Sequence, residues 1–404
     1  MKHDAKQAIR QFVAAVHDPK AQTELSLDGL LPLVQYMTEN APWTELVDVS
    51  GAVSLIFAAA ARAEAVRKEK VEAACATPPE EWIDIVTDEI LRYPRSYLTL
   101  IELPGVSIKG ELDLKICKRT RIIRSNIAGS HSVFDSSLGI LGMLSQQGGL
   151  KNREAKEGPV CLEISASGYL DTSESSSAAS HAISRAKQVL QIFNLAGSGL
   201  ILVPGFDSPR VRDSKMLGYE SDRPNKVVEI GLSEQVRQRL GACRYFTPQP
   251  SSRGLFGLGS EERDSQVESI ANSLRPYAAL LSASEENQDA TRILTGLEWA
   301  FDADVERNET QALLNACIGI EAILGKPKET GLTDKLADRC AFMLGRGARD
   351  RDQIAADFKK IYDARSKVVH GRARRLQPHE RGMLDQAKRL LRNILRREAT
   401  EFAG

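Results

Sequence analysis

The chain has 404 residues, 42% of them apolar and 27% charged, and its 54 basic side chains are balanced by 54 acidic ones. That length accommodates two or three domains, each with its own core. A formal net charge of zero excludes binding of nucleic acid through a global basic field, so any such contact needs a local patch.

Residues 1–93 read as mainly helical. Apolar spacing predicts helices over 5–16, 30–37 and 49–71, and Pro78-Pro79-Glu80-Glu81 marks another helix start. The apolar run 51–61 is too short to cross a bilayer. The N-terminus, Met1-Lys2-His3-Asp4, shows no signal-peptide apolar core. A cytoplasmic protein without membrane contact is the expectation.

Residues 94–250 are mixed and form a candidate sensor or regulatory domain. Leu112, Leu114 and Ile116 alternate with Asp113, Lys115 and Cys117, the pattern of a half-buried strand. Further strands are predicted at 97–103, 160–164, 200–203 and 227–230. A serine-rich loop at 172–177 leads into a helix over 178–193. Pro248, Pro250, Gly254, Gly257 and Gly259 mark 247–265 as a linker or surface loop.

After the linker the pattern is helical over 266–282, 288–305, 309–324, 332–345, 351–370 and 378–402. Short polar connections between long helices favour an up-and-down bundle over 265–404. The fold class is therefore α+β and multidomain, with an all-α C-terminal bundle.

Most familiar chemistries have no motif here. The chain lacks Gly-x4-Gly-Lys-Ser/Thr, Gly-x-Ser-x-Gly and His-Glu-x-x-His. The six cysteines at 75, 117, 161, 243, 317 and 340 stand too far apart for a Cys-x-x-Cys site. No metal and no cofactor is expected. His131 and His181 stand alone among serines and read as structural rather than functional residues, and Trp82 and Trp299 read as core aromatics.

The exception is Ile361-Tyr362-Asp363-Ala364-Arg365-Ser366-Lys367-Val368-Val369-His370-Gly371. Arg binds phosphate through two parallel hydrogen bonds, and His moves protons near neutral pH. Arg-x4-His spacing alone carries little weight, because Arg374 and His379 match it too. That second pair contains Pro378, whereas Arg365 and His370 share an unbroken helix that stops at Gly371. Arg365 falls on the apolar stripe of that helix, so it must be paired or meet a partner surface. His370 lies roughly 140° around an ideal helix from Arg365. The two converge only if the last turn loosens or two copies of the helix meet. The competing reading is a structural Arg–carboxylate pair and a surface His at a helix C-terminus. Residues 365–404 carry 11 Lys and Arg against 4 Asp and Glu, and Arg372, Arg374 and Arg375 follow the motif. This is a local basic patch suited to RNA, or else a solvated helix face.

The segment resembles the nuclease motif of the HEPN superfamily, and within it the Apea-like branch, whose Arg-Ser-x-x-Val-His-Gly pattern is matched by Arg365 to Gly371. Residues 316–324, with Glu321 in an apolar run, and residues 332–341 resemble earlier helices of that domain. The similarity spans roughly 265–404; the first two thirds of the chain carry no such resemblance. It implies a four-to-five-helix bundle, commonly homodimeric or in a higher oligomer. It also implies a metal-independent endoribonuclease acting as a toxin or antiviral-defence effector on RNA, tRNA included. Arg365 and His370 would be catalytic, with Tyr362, Asp363, Ser366, Lys367 and Glu321 in support. Glu321 reads first as a salt-bridge partner of Arg339 or Arg365, and alternatively as the group that orients Arg365. Residues 1–250 would then bind a phage or host trigger. The rival expectation is a non-catalytic RNA- or protein-binding module.

Overall fold

The structure, a computed structural model, describes residues 6–12, 27–70, 79–106, 112–124, 159–197, 200–202, 214–221, 223–245, 268, 270–284, 286–326, 331–370, 375–377 and 380–403. The linker expected at 247–265 lies outside them. The protein is mixed α+β, with a six-stranded antiparallel sheet and a helical C-terminal region. Its chain divides into two compact units built from discontinuous stretches. The first comprises Met1–Thr99, Ser165–Ala182 and Leu217–Gly231, and the second Leu100–Ile164, Ile183–Met216 and Leu232–Gly404. Residues 94–250 contribute to both.

In the first unit, helices α1 (Leu27–Glu39), α2 (Val49–Lys70) and α3 (Pro79–Leu91) join a helical stretch at 6–12. Leu30, Leu33, Val34 and Met37 recur at helical spacing and are buried, as are Ala52, Leu55, Ile56 and Ala59. These faces enclose Trp43, whose indole donates to the Ile90 carbonyl at 3.4 Å. The Asp48 carboxylate accepts the Gly51 amide at 2.7 Å and caps the start of α2.

Six strands make the main sheet: β1 (Arg95–Glu102), β2 (Asp113–Cys117), β3 (Thr120–Arg124), β4 (Val160–Gly168), β6 (Met216–Glu220) and β7 (Arg223–Ile230), in the order β2-β3-β4-β1-β6-β7. A separate pair joins β5 (Leu200–Leu202) to β8 (Cys243–Tyr245). Strands form at each of the five places where the sequence predicts one. Three others, β3, β6 and β8, were not expected. β3 is buried at Thr120, Ile122 and Ile123 and lies between two neighbours, with Ile122 opposite Leu114 and Leu162. Burial on both faces erases the alternation that marks β2. Two further helices are α4 (Ser177–Ala196) and the short, unexpected α5 (Glu234–Leu240).

The C-terminal helices of the second unit are α6 (Ala278–Ser282), α7 (Gln288–Val305), α8 (Glu309–Leu324), α9 (Leu332–Leu344), α10 (Ala348–Val369) and α11 (Arg381–Ala403). The single helix expected over 266–282 is interrupted by a 3-10 turn at Arg275–Tyr277, because Pro276 has no amide proton to donate. Asn287 caps α7, and Asn308 caps α8 by accepting the Thr310 and Gln311 amides at 3.0 and 3.2 Å. Helix α7 lies along α8, α9 along α10, and α11 packs on α7, α8 and α10. Gly296 and Gly319 permit close approach: a Cβ at Gly296 would stand 2.5 Å from Ile323 Cγ1, and one at Gly319 would stand 2.8 Å from Leu391 Cδ2.

The part of α4 belonging to this unit docks on α7 through polar groups. Ser184 and Gln188 donate to Glu298 at 2.8 and 2.7 Å, and Lys187 pairs with Asp302 at 2.9 Å. Gln191 and Asn194 donate to the buried Asp304, which Arg392 of α11 approaches to 2.7 Å. Among the described residues no helix is long and apolar enough to cross a membrane.

Candidate functional site

Helix α10 buries Phe358, Ile361, Tyr362 and Ala364. The Tyr362 ring stacks on Phe358 at 4.4 Å, and its hydroxyl donates to the Cys317 carbonyl of α8 at 3.4 Å. Burial, reinforced by Cys317 and Glu321, pushes the Tyr362 phenol well above its usual value, so it remains a neutral donor. The same burial pushes the Cys317 thiol up to about 12.

Arg365 follows one turn later. Its Nη2 lies 3.2 Å from Glu321 Oε1, with 29% of the Arg365 side chain and 23% of Glu321 exposed. The contact is an off-axis ion pair, and that carboxylate oxygen receives no aligned hydrogen bond. Of the two arginines considered as partners of Glu321, Arg365 forms this ion pair; Arg339 Nη1 donates to the Leu324 carbonyl at 2.8 Å. A place in an apolar run marks Glu321 for burial, and it is only half-buried. It stands on the side of α8 that meets α10, with its Oε1 buried at the ion pair.

Beyond Arg365 the motif turns outward. Asp363 and His370 are exposed, and Ser366 is half-buried. Lys367 pairs with Glu380 at 3.0 Å. That carboxylate is buried and also accepts the Gln377 amide at 3.1 Å. The Leu376 amide donates to the Thr310 hydroxyl at 3.1 Å, so the chain after the motif returns to the start of α8. Glu380 and Thr310 were not singled out in the sequence. The helix start after Pro378 was the available signal for Glu380.

His370 caps α10 with φ −86° and ψ 12°, and its amide bonds the Ser366 carbonyl at 3.0 Å. The helical hydrogen-bond pattern therefore runs through the motif. Loosening of the last turn, one of the two routes to convergence of Arg365 and His370, does not occur up to His370. The structure brings Arg365, Glu321, Tyr362 and Cys317 together, and it leaves His370, Lys367 and Arg375 toward solvent. Arg372 and Arg374 lie outside the described residues. Cations at this end are favoured by the α10 dipole.

Among the described residues no group of three or more His, Cys, Asp or Glu is arranged to hold a metal ion. The chain matches no protein-family profile, no curated protein and no solved structure.

Proposed function

We propose that residues 265–404 form a HEPN-like bundle and that the protein is a metal-independent endoribonuclease. One observation carries this reading. Arg365 is held in place by Glu321, yet its guanidinium stays partly open to solvent, and the same helix ends at an exposed His370. A guanidinium has five donors, and a single off-axis carboxylate leaves most of them for a phosphate.

In this reading the RNA 2′-oxygen attacks the adjacent phosphorus, forms a 2′,3′-cyclic phosphate, and the bond to the 5′-oxygen breaks. One proton leaves the 2′-hydroxyl and one reaches the departing 5′-oxygen. His370 performs one of these transfers, and Arg365 stabilises charge on the phosphorane-like transition state. Lys367 and Ser366 bind neighbouring oxygens, while Tyr362, Asp363 and Glu321 support the site. Arg372, Arg374 and Arg375 contact flanking phosphates. DNA, without a 2′-hydroxyl, is not cut. The single His of the motif cannot serve as acid and base in the same step, so the working site combines two copies of the motif in a dimer. The biological role proposed with this activity is a toxin or defence effector, with a trigger bound by residues 1–250.

The test is cleavage of total RNA and tRNA in chelator by wild type, Arg365→Ala and His370→Ala, with product ends mapped. Wild type is expected to leave 5′-hydroxyl ends, and each variant is expected to lose roughly 10²- to 10⁴-fold in rate. Metal-dependent cutting, or full activity in both variants, would refute the proposal. A second reading, a non-catalytic RNA- or protein-binding module, is favoured by the unbroken helix through His370. It predicts RNA binding without cleavage in all three proteins.

A further inference from the structure

The first unit contains a cavity of about 340 Å³ whose lining includes Tyr93, Tyr97, Tyr169, Tyr219, Asp171 and Glu220. All six residues belong to that unit. Its size falls within the range of small-ligand sites.

The aromatic walls are set at steep angles. The Tyr93 and Tyr169 rings meet at 64° with centroids 5.9 Å apart, so they form a corner with π faces turned in different directions. Burial raises the Tyr97 and Tyr169 phenols above their usual value and keeps them neutral, and the Asp171 charge adds to the rise at Tyr169. The Arg95 guanidinium already stacks over the Tyr93 ring, 4.6 Å from its centroid, which shows that this aromatic surface attracts a cation.

Charge around the cavity is unequal. Arg95 pairs with Glu89 at 2.6 Å and with Glu220 at 2.9 Å, and Arg92 pairs with Glu89 at 2.8 Å. Those two arginines and two glutamates cancel. Among the described residues Asp171 remains outside these pairs, with its carboxylate accepting the Ser173 amide at 2.7 Å, and it puts a negative charge on the cavity wall. An anionic ligand would face that charge. A neutral apolar ligand would cover a carboxylate without compensating it.

We propose that this cavity binds a small organic ammonium ion, its alkyl groups against the tyrosine faces and its charge toward Asp171. The ring quadrupoles and the carboxylate act on the same charge, and both weaken if it is removed. The inference is independent of the nuclease reading and holds whether or not RNA is cut.

The experiment is isothermal titration of the full chain with choline and n-butylammonium, and with 3,3-dimethyl-1-butanol, the neutral isostere of choline. At least one cation is expected to bind more tightly than the neutral alcohol by roughly tenfold or more. Asp171→Asn keeps the acceptor for the Ser173 amide and removes the charge, so cation affinity is expected to fall by roughly tenfold. Tyr219→Leu should also weaken the cation. Thermal melts establish that each variant is folded. If neither cation binds at millimolar concentration, or if the alcohol binds as well as choline, the proposal is wrong. It is equally wrong if Asp171→Asn and Tyr219→Leu both fold and retain wild-type affinity.

Discussion

Glu321 does two things at the candidate site, and they can be separated. As a half-exposed ion-pair partner of Arg365 it contributes little to folding, about 1 kcal/mol or less. As the anion nearest that guanidinium it fixes where the side chain points. Glu321→Gln preserves shape and removes the charge. If Arg365 acts on a phosphate, this variant should lower the RNA cleavage rate by roughly tenfold or more, while RNA affinity and the melting temperature change little. A purely structural pair would show the reverse, a lower melting temperature with cleavage intact. Rate, affinity and melting measured on one preparation check the outcome.

At the scale of elements, polar and charged groups link α4 to α7. Asp304 is 5% exposed and gathers Gln191, Asn194 and Arg392, with Lys388 at 3.9 Å. Burial lowers the Lys388 ammonium pKa from its ordinary value, and Asp304 opposes that shift. Removing the carboxylate leaves two cations and two amides without their acceptor. Asp304→Ala is therefore expected to destabilise the protein by about 3 kcal/mol, read from urea unfolding. Asp304→Asn should cost less, since the amide retains one oxygen acceptor. Equal stability of wild type and Asp304→Ala would mean that water satisfies these groups.

For the whole molecule, four buried thiols impose a pH limit. Burial pushes Cys161, Cys243, Cys317 and Cys340 up to about 12. All four belong to the second unit. An unfolded thiol titrates near 8.5, so between about pH 9 and 12 the unfolded chain loses protons that the native chain keeps. The native state then binds more protons, and stability falls as pH rises through that window. Below pH 8 this contribution is fully present. Each thiol contributes a slope of up to ~1.4 kcal/mol per pH unit. Urea midpoints should drop between pH 8 and pH 10. At pH 8 the native protein should resist iodoacetamide at these positions, as mass spectrometry would show. Rapid native alkylation would contradict the burial.

The sequence by itself determined most of the longer helices and the half-buried strands, because local periodicity reports one buried face. The spacing of 288–305 and 309–324 gives α7 and α8 to the residue, and the alternation through 112–117 gives β2. It also marked Arg365 as needing a partner, since a cation on an apolar stripe must be neutralised. Only the tertiary structure decided that Arg365 pairs with Glu321, that Glu380 anchors Lys367, and that β3 is an interior strand. Those outcomes depend on contacts between residues far apart in the chain. The tyrosine cavity is the strongest case: Tyr93, Tyr169 and Tyr219 come from three separate stretches, and no local pattern signals that their rings share one space.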